Sequence, residues 1–184
     1  MDTHAPRVLL AKDRTAHPWR NGNGTASEVA VHPDGASGDA FDWRISIATI
    51  ETDSDFSAYP GIQRYLMPLS PRGLTLAVDG ESRELPGYSA FEFAGESSVR
   101  ATGVTAPSLD LNLMIRRGAA TGSLTTQNVE GMLNVAAAPD ESVVIVLLGA
   151  AFGLDYLDAI ALQPDSNLNL EGTGVIAIAR IASV

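Results

Sequence analysis

Phe41-Asp42-Trp43-Arg44-Ile45-Ser46-Ile47-Ala48-Thr49-Ile50 alternates one face against the other. Arg44, Ser46 and Ala48 leave one side of such a strand while Trp43, Ile45 and Ile47 leave the other. The stretch Leu109-Asp110-Leu111-Asn112-Leu113-Met114-Ile115-Arg116 repeats the pattern, with Asp110, Asn112, Met114 and Arg116 opposed to Leu109, Leu111, Leu113 and Ile115. A sheet built on these strands has one apolar and one polar face. Two readings of the polar face stay open: it meets water, as in many antiparallel sheets, or it lines a barrel mouth in which Arg44, Ser46 and Asn112 surround a ligand.

Outward from these two strands the chain continues in short β-type runs at 63–69, 74–78 and 88–93. Turn signals separate them: Tyr59-Pro60-Gly61, Ser70-Pro71-Arg72-Gly73, Val78-Asp79-Gly80 and Leu85-Pro86-Gly87. They recur about every ten residues, the spacing of a sandwich or barrel. A second set follows at 123–128, 132–138, 142–148, 155–162 and 174–183, so the strand pattern is doubled. Gly118 to Gly122 is the best joint between the halves. The 184 residues therefore read as one all-β domain with little helix, made of modules 1–117 and 118–184. The polar loop 35–39 needs no functional reading.

Composition narrows the function classes. Apolar residues make up 45% and charged residues 18% of the chain, enough to bury a core. With no cysteine there is no disulfide or thiolate chemistry. The N-terminal stretch lacks the apolar block of a secretory signal, and the longest apolar run, 142–152, is the length of a core strand rather than of a membrane span. A cytoplasmic protein that binds no membrane is expected. The net charge of −10 argues against nucleic acid, which demands clustered cations. Of the twelve Lys and Arg residues, eleven precede Gly118, so capacity for anions is concentrated in the first module.

The densest chemistry is Pro18-Trp19-Arg20-Asn21-Gly22-Asn23-Gly24-Thr25 together with the Trp43-Arg44 strand. Tryptophan gives a wide apolar wall, asparagine a donor and an acceptor, and arginine a planar fork for carboxylate or phosphate. The glycine-rich run serves equally as an anion cradle or as a tight hairpin turn, and it lacks the ending of a phosphate-binding P-loop. Arg64 either completes a clamp with Arg44 or pairs with a surface acid such as Asp42 or Asp55. His4, His17 and His32 have no metal-ligand spacing. His17 is either a loop residue or a donor into the pocket. No serine sits in a nucleophile elbow, and the acid pairs Asp53/Asp55 and Asp140/Glu141 read as solvated turns.

Taken in order, PWRNGNGT, DWRISIA, DFSAYPGIQR, FEFAGE and LDLNLMIRR, all within residues 18–117, resemble the HutD/Ves family. The resemblance implies a double cupin-like jelly-roll, a bicupin β-barrel or sandwich. It implies a binding or regulatory accessory of histidine utilisation that senses an acidic intermediate such as urocanate or formylglutamate, with no enzyme activity established. The positions that match are Trp19, Asn21, Gly22, Gly24, Thr25, Trp43, Arg44, Ser46, Phe56, Ser57, Gly61, Arg64, Asn112, Met114 and Arg117. Gln63 departs from an aspartate common before the arginine, and Asn23 from a glycine. The histidine-rich motif of metal-dependent cupins is absent, which implies a pocket without metal.

The expectation is thus a binding protein for a small carboxylate, held by Trp19, Asn21, Trp43, Arg44, Ser46, Arg64, Asn112 and Met114, with no metal or cofactor; a homodimer is within this reading. A metal-independent enzyme acting on a small organic acid, with Glu92 as base, is the first alternative. The second is a stress-related interaction protein whose acidic second half docks a basic partner.

Overall fold

Strands account for nearly every element of the computed structural model, which describes residues 5–19 and 24–184. In chain order they are β1 (Arg7–Leu9), β2 (Ala16–Pro18), β3 (Thr25–His32), β4 (Trp43–Ile50), β5 (Ser54–Asp55), β6 (Ile62–Pro68), β7 (Leu74–Val78), β8 (Glu81–Leu85), β9 (Phe91–Ala94), β10 (Val99–Thr102), β11 (Ser108–Arg116), β12 (Ala120–Ala136), β13 (Glu141–Leu147), β14 (Ala159–Leu162) and β15 (Asn167–Ser183). One 3-10 turn, Ala11–Asp13, is the helical exception among the described residues. The chain divides into two units, Thr15–Arg117 and Met1–Arg14 with Gly118–Val184.

The Thr15–Arg117 unit contains a six-stranded sheet, β2-β3-β4-β11-β6-β9, and a four-stranded sheet, β5-β10-β7-β8, both antiparallel. Their inner faces share one core: Ile50, Leu66 and Phe93 come from the larger sheet, and Leu74, Leu76, Leu85, Val99 and Ala101 from the smaller. At about 1.5–3 kcal/mol for each fully buried large side chain, this cluster is a principal attachment of one sheet to the other. Leu66 shares its face with Arg64, and Ile50 shares its face with Ser46 and Arg44, because the spacing along each strand is even. The face carrying the polar residues of β4 and β11 therefore points into the unit, as the barrel-mouth reading requires.

In the other unit β1, β14, β13, β15 and β12 form one sheet. Its core is aliphatic, with Val143, Ile145 and Leu147 packed among Ile176, Ile178, Ile160, Leu162 and Leu133. The division corrects the module limits. The first module begins at Thr15, because Arg7–Leu9 pairs with β14, and Arg14 donates to the carbonyls of Leu9 and Leu157.

Three strand limits also differ from the sequence reading. The runs 123–128 and 132–138 are one strand, β12, paired with β15 over its whole length from Ala120↔Ser183 to Ala136↔Asn167. Gly131 does not break it, since it lies opposite Gly172 and takes its positive φ of 89° within the ladder. The run 155–162 is strand only from Ala159, because the Asp158 carboxylate accepts N–H bonds from Asp155 at 2.9 Å and Ala11 at 2.7 Å and holds a turn there. The run 88–93 begins its pairing at Phe91, because Tyr88 donates to the Pro68 carbonyl at 2.8 Å with a φ of 62°.

Candidate ligand-binding site

Strand register assembles the site. Across the larger sheet Arg44, Met114 and Arg64 form one rung. Glu28, Ser46, Asn112 and Leu66 form the next, and His17, Ala26, Ala48, Asp110 and Pro68 a third. Side chains on adjacent strands stand about 4.8 Å apart, so Arg44 and Arg64, two strands apart, rise from backbone separated by about 10 Å. A cavity of about 260 Å³ opens over these rungs, walled by Trp19, Phe56 and Tyr59. The Trp19 and Phe56 rings meet edge to face at 5.6 Å.

Trp19 is fixed by local chemistry. Its backbone N–H donates to the Gly24 carbonyl at 2.8 Å, and its indole lies directly on Gly24. A Cβ at position 24 would stand 2.9 Å from Trp19 Cε2 and 2.8 Å from the Thr49 carbonyl oxygen, so only glycine admits the ring.

Arg64 is buried and has three aromatic neighbours, with its guanidinium carbon 4.9 Å from the Phe93 centroid, 5.5 Å from Phe56 and 5.6 Å from Tyr59. Nη1 donates to the Ser57 carbonyl at 3.2 Å and Nη2 to Asn112 Oδ1 at 3.0 Å. The other end of that amide, Asn112 Nδ2, donates to Asp110 Oδ2. Burial lowers Arg64 to about 10, against the opposing pull of Asp110 and Tyr59, so it remains a cation at neutral pH. Burial raises Asp110 to about 7, while Arg64 and the Asn112 bond act in the opposite direction.

Arg44 lies with its guanidinium carbon 4.3 Å over the Phe41 ring, donates through Nη2 to the Gly38 carbonyl, and has Nε 3.5 Å from Glu28 Oε2. Among the described residues neither Arg44 Nε nor Arg64 Nε has a hydrogen-bond acceptor. Two incompletely satisfied guanidiniums, an amide, a hydroxyl and aromatic walls make a site suited to a small planar anion.

The match to the HutD family model runs over residues 11–181. The chain belongs to the HutD family. It is 39% identical over 109 residues to an uncharacterized 21.2 kDa protein in the hutC 3' region of Pseudomonas putida, covering 59% of this chain and 57% of that one. It is 40% identical over 101 residues to protein Ves of Citrobacter koseri, covering 54% and 52%. The matched segments thus span little more than half the length of these curated relatives. The HutD structure from Pseudomonas fluorescens SBW25 superposes with a TM-score of 0.82 at 28% identity, covering 98% of this chain and all of that one. The all-β, cupin-like jelly-roll class read from the sequence is therefore the class of this HutD-family chain.

Of the residues read from the sequence of this HutD-family member, Trp19, Arg44, Ser46, Arg64, Asn112 and Met114 line the cavity. Trp43 does not. It leaves the opposite face of β4, is buried, and stacks on His32 at 5.9 Å. Its own strand parity already separates it from Arg44. Asn21 lies outside the described residues. Arg64 pairs with neither proposed surface acid, since Asp42 faces His32 and Asp55 faces Arg100. Gln63 donates to the Phe93 carbonyl at 3.0 Å, and the partners of Arg64 come instead from Asn112 and Ser57. Glu92 is exposed, accepts from the Tyr65 hydroxyl at 3.2 Å, and is not a cavity residue.

The cavity also holds residues that the sequence reading left aside. Asp110 and Glu28 line it; His17, read from the sequence as either a loop residue or a donor into the pocket, lines it too, from β2. Asp110 was legible from parity, because it stands two residues before Asn112 on the same face. Glu28 was not, since a bulge between Glu28 and Ala30 shifts the register of β3 against β4. The 35–39 loop has a structural role after all: the Gly38 carbonyl docks Arg44, the Asp39 carbonyl docks Arg116, and Gly38 belongs to the cavity wall. Among the described residues no three His, Asp or Glu side chains group so as to hold a metal ion, and no helix is long and apolar enough to cross a membrane.

Proposed function

We propose that this protein binds a small carboxylate metabolite in the cavity of its Thr15–Arg117 unit and acts as a binding or regulatory component of histidine utilisation, with urocanate and formylglutamate as the candidate ligands. The observation that carries the reading is the convergence of Arg44 and Arg64 on one cavity whose polar rungs point inward. Aromatic and thioether groups supply the apolar part of the wall, so a short unsaturated or aliphatic body fits beside the carboxylate. The pathway assignment rests on membership of the HutD family and on the hutC-adjacent origin of the Pseudomonas putida relative.

Calorimetric titration of urocanate and formylglutamate tests the reading. Saturable binding that is lost in Arg44→Ala and Arg64→Met is the expected result. Wild-type protein that binds neither acid, or binding that survives both substitutions unchanged, would overturn it.

A further inference from the structure

A cavity suited to an anion here contains a carboxylate of its own. Asp110 is buried, lines the cavity, and reaches Arg64 only through the Asn112 amide. Its Oδ2 accepts from Asn112, whereas Oδ1 has no hydrogen-bond partner among the described residues. An ionised carboxylate with one unsolvated, unpartnered oxygen is unfavourable in a buried site, and a proton on that oxygen relieves it.

The charges that face Asp110 define the problem. Among the described residues, the charged and titratable groups that line the cavity with it are His17 on β2, Glu28 on β3, Arg44 on β4, Tyr59 in the connection before β6, and Arg64 on β6. Glu28 stands against Arg44 at 3.5 Å and keeps access to solvent, so this pair is self-compensated at the rim. Arg64 and Asp110 form the inner pair. With both inner groups charged, the two cations and two carboxylates among the described residues cancel, and none of these four charges is left over to attract an anion. With Asp110 neutral, one positive charge remains, and it belongs to Arg64.

We infer, on the basis of the carboxylate-binding reading, that the cavity takes up its anion together with one proton, which Asp110 receives on Oδ1, so that the ligand replaces Asp110 as the counter-charge of Arg64. The proton comes from solvent and stays on the protein while the ligand is bound. It turns Asp110 from an acceptor into a donor, which gives the site a neutral O–H to offer to a ligand oxygen beside the arginine N–H groups. The selected ligand class is then an acid that enters as its anion. Asp110 is placed near neutrality by its burial, so the exchange operates within the ordinary range of pH. The direction follows from linkage: the protonated form binds the anion better, so affinity is highest on the acid side and falls as pH rises through the Asp110 range, by at most about tenfold per pH unit for one proton.

Formate and formylglutamate are suitable probes, because their carboxylates ionise well below pH 5.5 and add no titration between about pH 5.5 and 8.5. Calorimetry of the full chain in pairs of buffers with different ionisation enthalpies reads proton uptake directly. At pH 8 the expected uptake approaches one proton per ligand, with affinity falling towards about tenfold per pH unit above neutrality. Asp110→Asn is expected to abolish the uptake and flatten the profile. His17→Gln, which removes the imidazole of the cavity wall, is expected to leave the proton uptake in place, whatever its effect on affinity. Saturable wild-type binding with no uptake and a flat profile would overturn the proton coupling and leave carboxylate binding standing. Loss of uptake in His17→Gln would overturn the assignment to Asp110. Failure of both probes to bind wild-type protein at any pH would overturn both readings. Should Asp110→Asn fail to fold, the wild-type and His17→Gln measurements still decide.

Discussion

Arg64 Nη2 donates to Asn112 Oδ1 at 3.0 Å, and that bond sets the orientation of the Asn112 amide. A guanidinium only donates, so Asn112 must present its carbonyl to Arg64 and its amide N–H to Asp110. The amide thus relays between a buried cation and a buried acid that share no hydrogen bond of their own. The arrangement gives Arg64 a structural role beside the binding role proposed for it.

Replacing Arg64 by methionine should therefore destabilise the protein, because Asp110 is left without its counter-charge and Ser57 and Asn112 without a donor. Removing one partner of a buried pair costs about 3–5 kcal/mol at a pH where the other is ionised. Urea denaturation at pH 8 is expected to show a loss of that order, and a smaller one at pH 5.5, where Asp110 can take a proton. Equal losses at both values would mean that Asp110 does not respond to the missing charge.

Arg44→Lys should weaken formylglutamate binding by at least about tenfold, the equivalent of one charge-assisted hydrogen bond at about 1.5–3 kcal/mol. Lysine keeps the charge but loses the planar fork that lies over Phe41 and reaches the Gly38 carbonyl. Wild-type affinity in this variant, measured by calorimetry, would show that charge alone is sufficient at this position.

Much of this site was legible before any coordinates, and the reason is parity. Arg44 with Ser46, and Asp110 with Asn112 and Met114, share a face because strands repeat every two residues. The same rule removes Trp43, which the Trp-Arg dipeptide invited into the pocket and the pleat turns away from it. What parity alone does not supply is which side of the sheet carries the cavity, since the opposite face, with Ile45, Leu111 and Leu113, is buried too. Here it was decided by long-range partners, Leu76 and Val99 of the facing sheet, which bury the Leu66 side of β6. Glu28 was hidden by the bulge in β3, and the single long strand β12 by a glycine whose partner across the ladder is another glycine.

Gly24→Ala should disturb both stability and binding. The new methyl group would stand 2.9 Å from Trp19 Cε2 and 2.8 Å from the Thr49 carbonyl oxygen, and only the indole is free to shift. Overpacking of this kind costs about 1–3 kcal/mol, and a displaced Trp19 alters the wall beside Phe56. A lowered thermal midpoint together with a red-shifted tryptophan emission is expected. A variant indistinguishable from wild type in both would place the ring elsewhere.

Trp43→Phe provides the opposite contrast. Trp43 is buried on the far face of β4, stacked on His32, so its truncation should lower stability while leaving the affinity for urocanate within about twofold of wild type, a change below 0.5 kcal/mol. A larger loss of affinity in a folded variant would mean that the two faces of β4 are coupled through the strand.

The pH dependence of stability should carry the sign of Asp110. Its carboxyl titrates at about 7 in the folded chain and near the ordinary aspartate range when unfolded. Between these limits the native state holds a proton that the unfolded state has released, so the contribution of Asp110 is fully present below about pH 4 and is lost as pH rises towards 7. Other groups titrate over the same range, and subtraction removes them. The stability of wild type minus that of Asp110→Asn, from urea denaturation, should fall steadily from pH 4 to pH 7 and level off above it. A difference that rises over this interval would mean that Asp110 is held ionised by Arg64 and Asn112, and that their attraction outweighs burial.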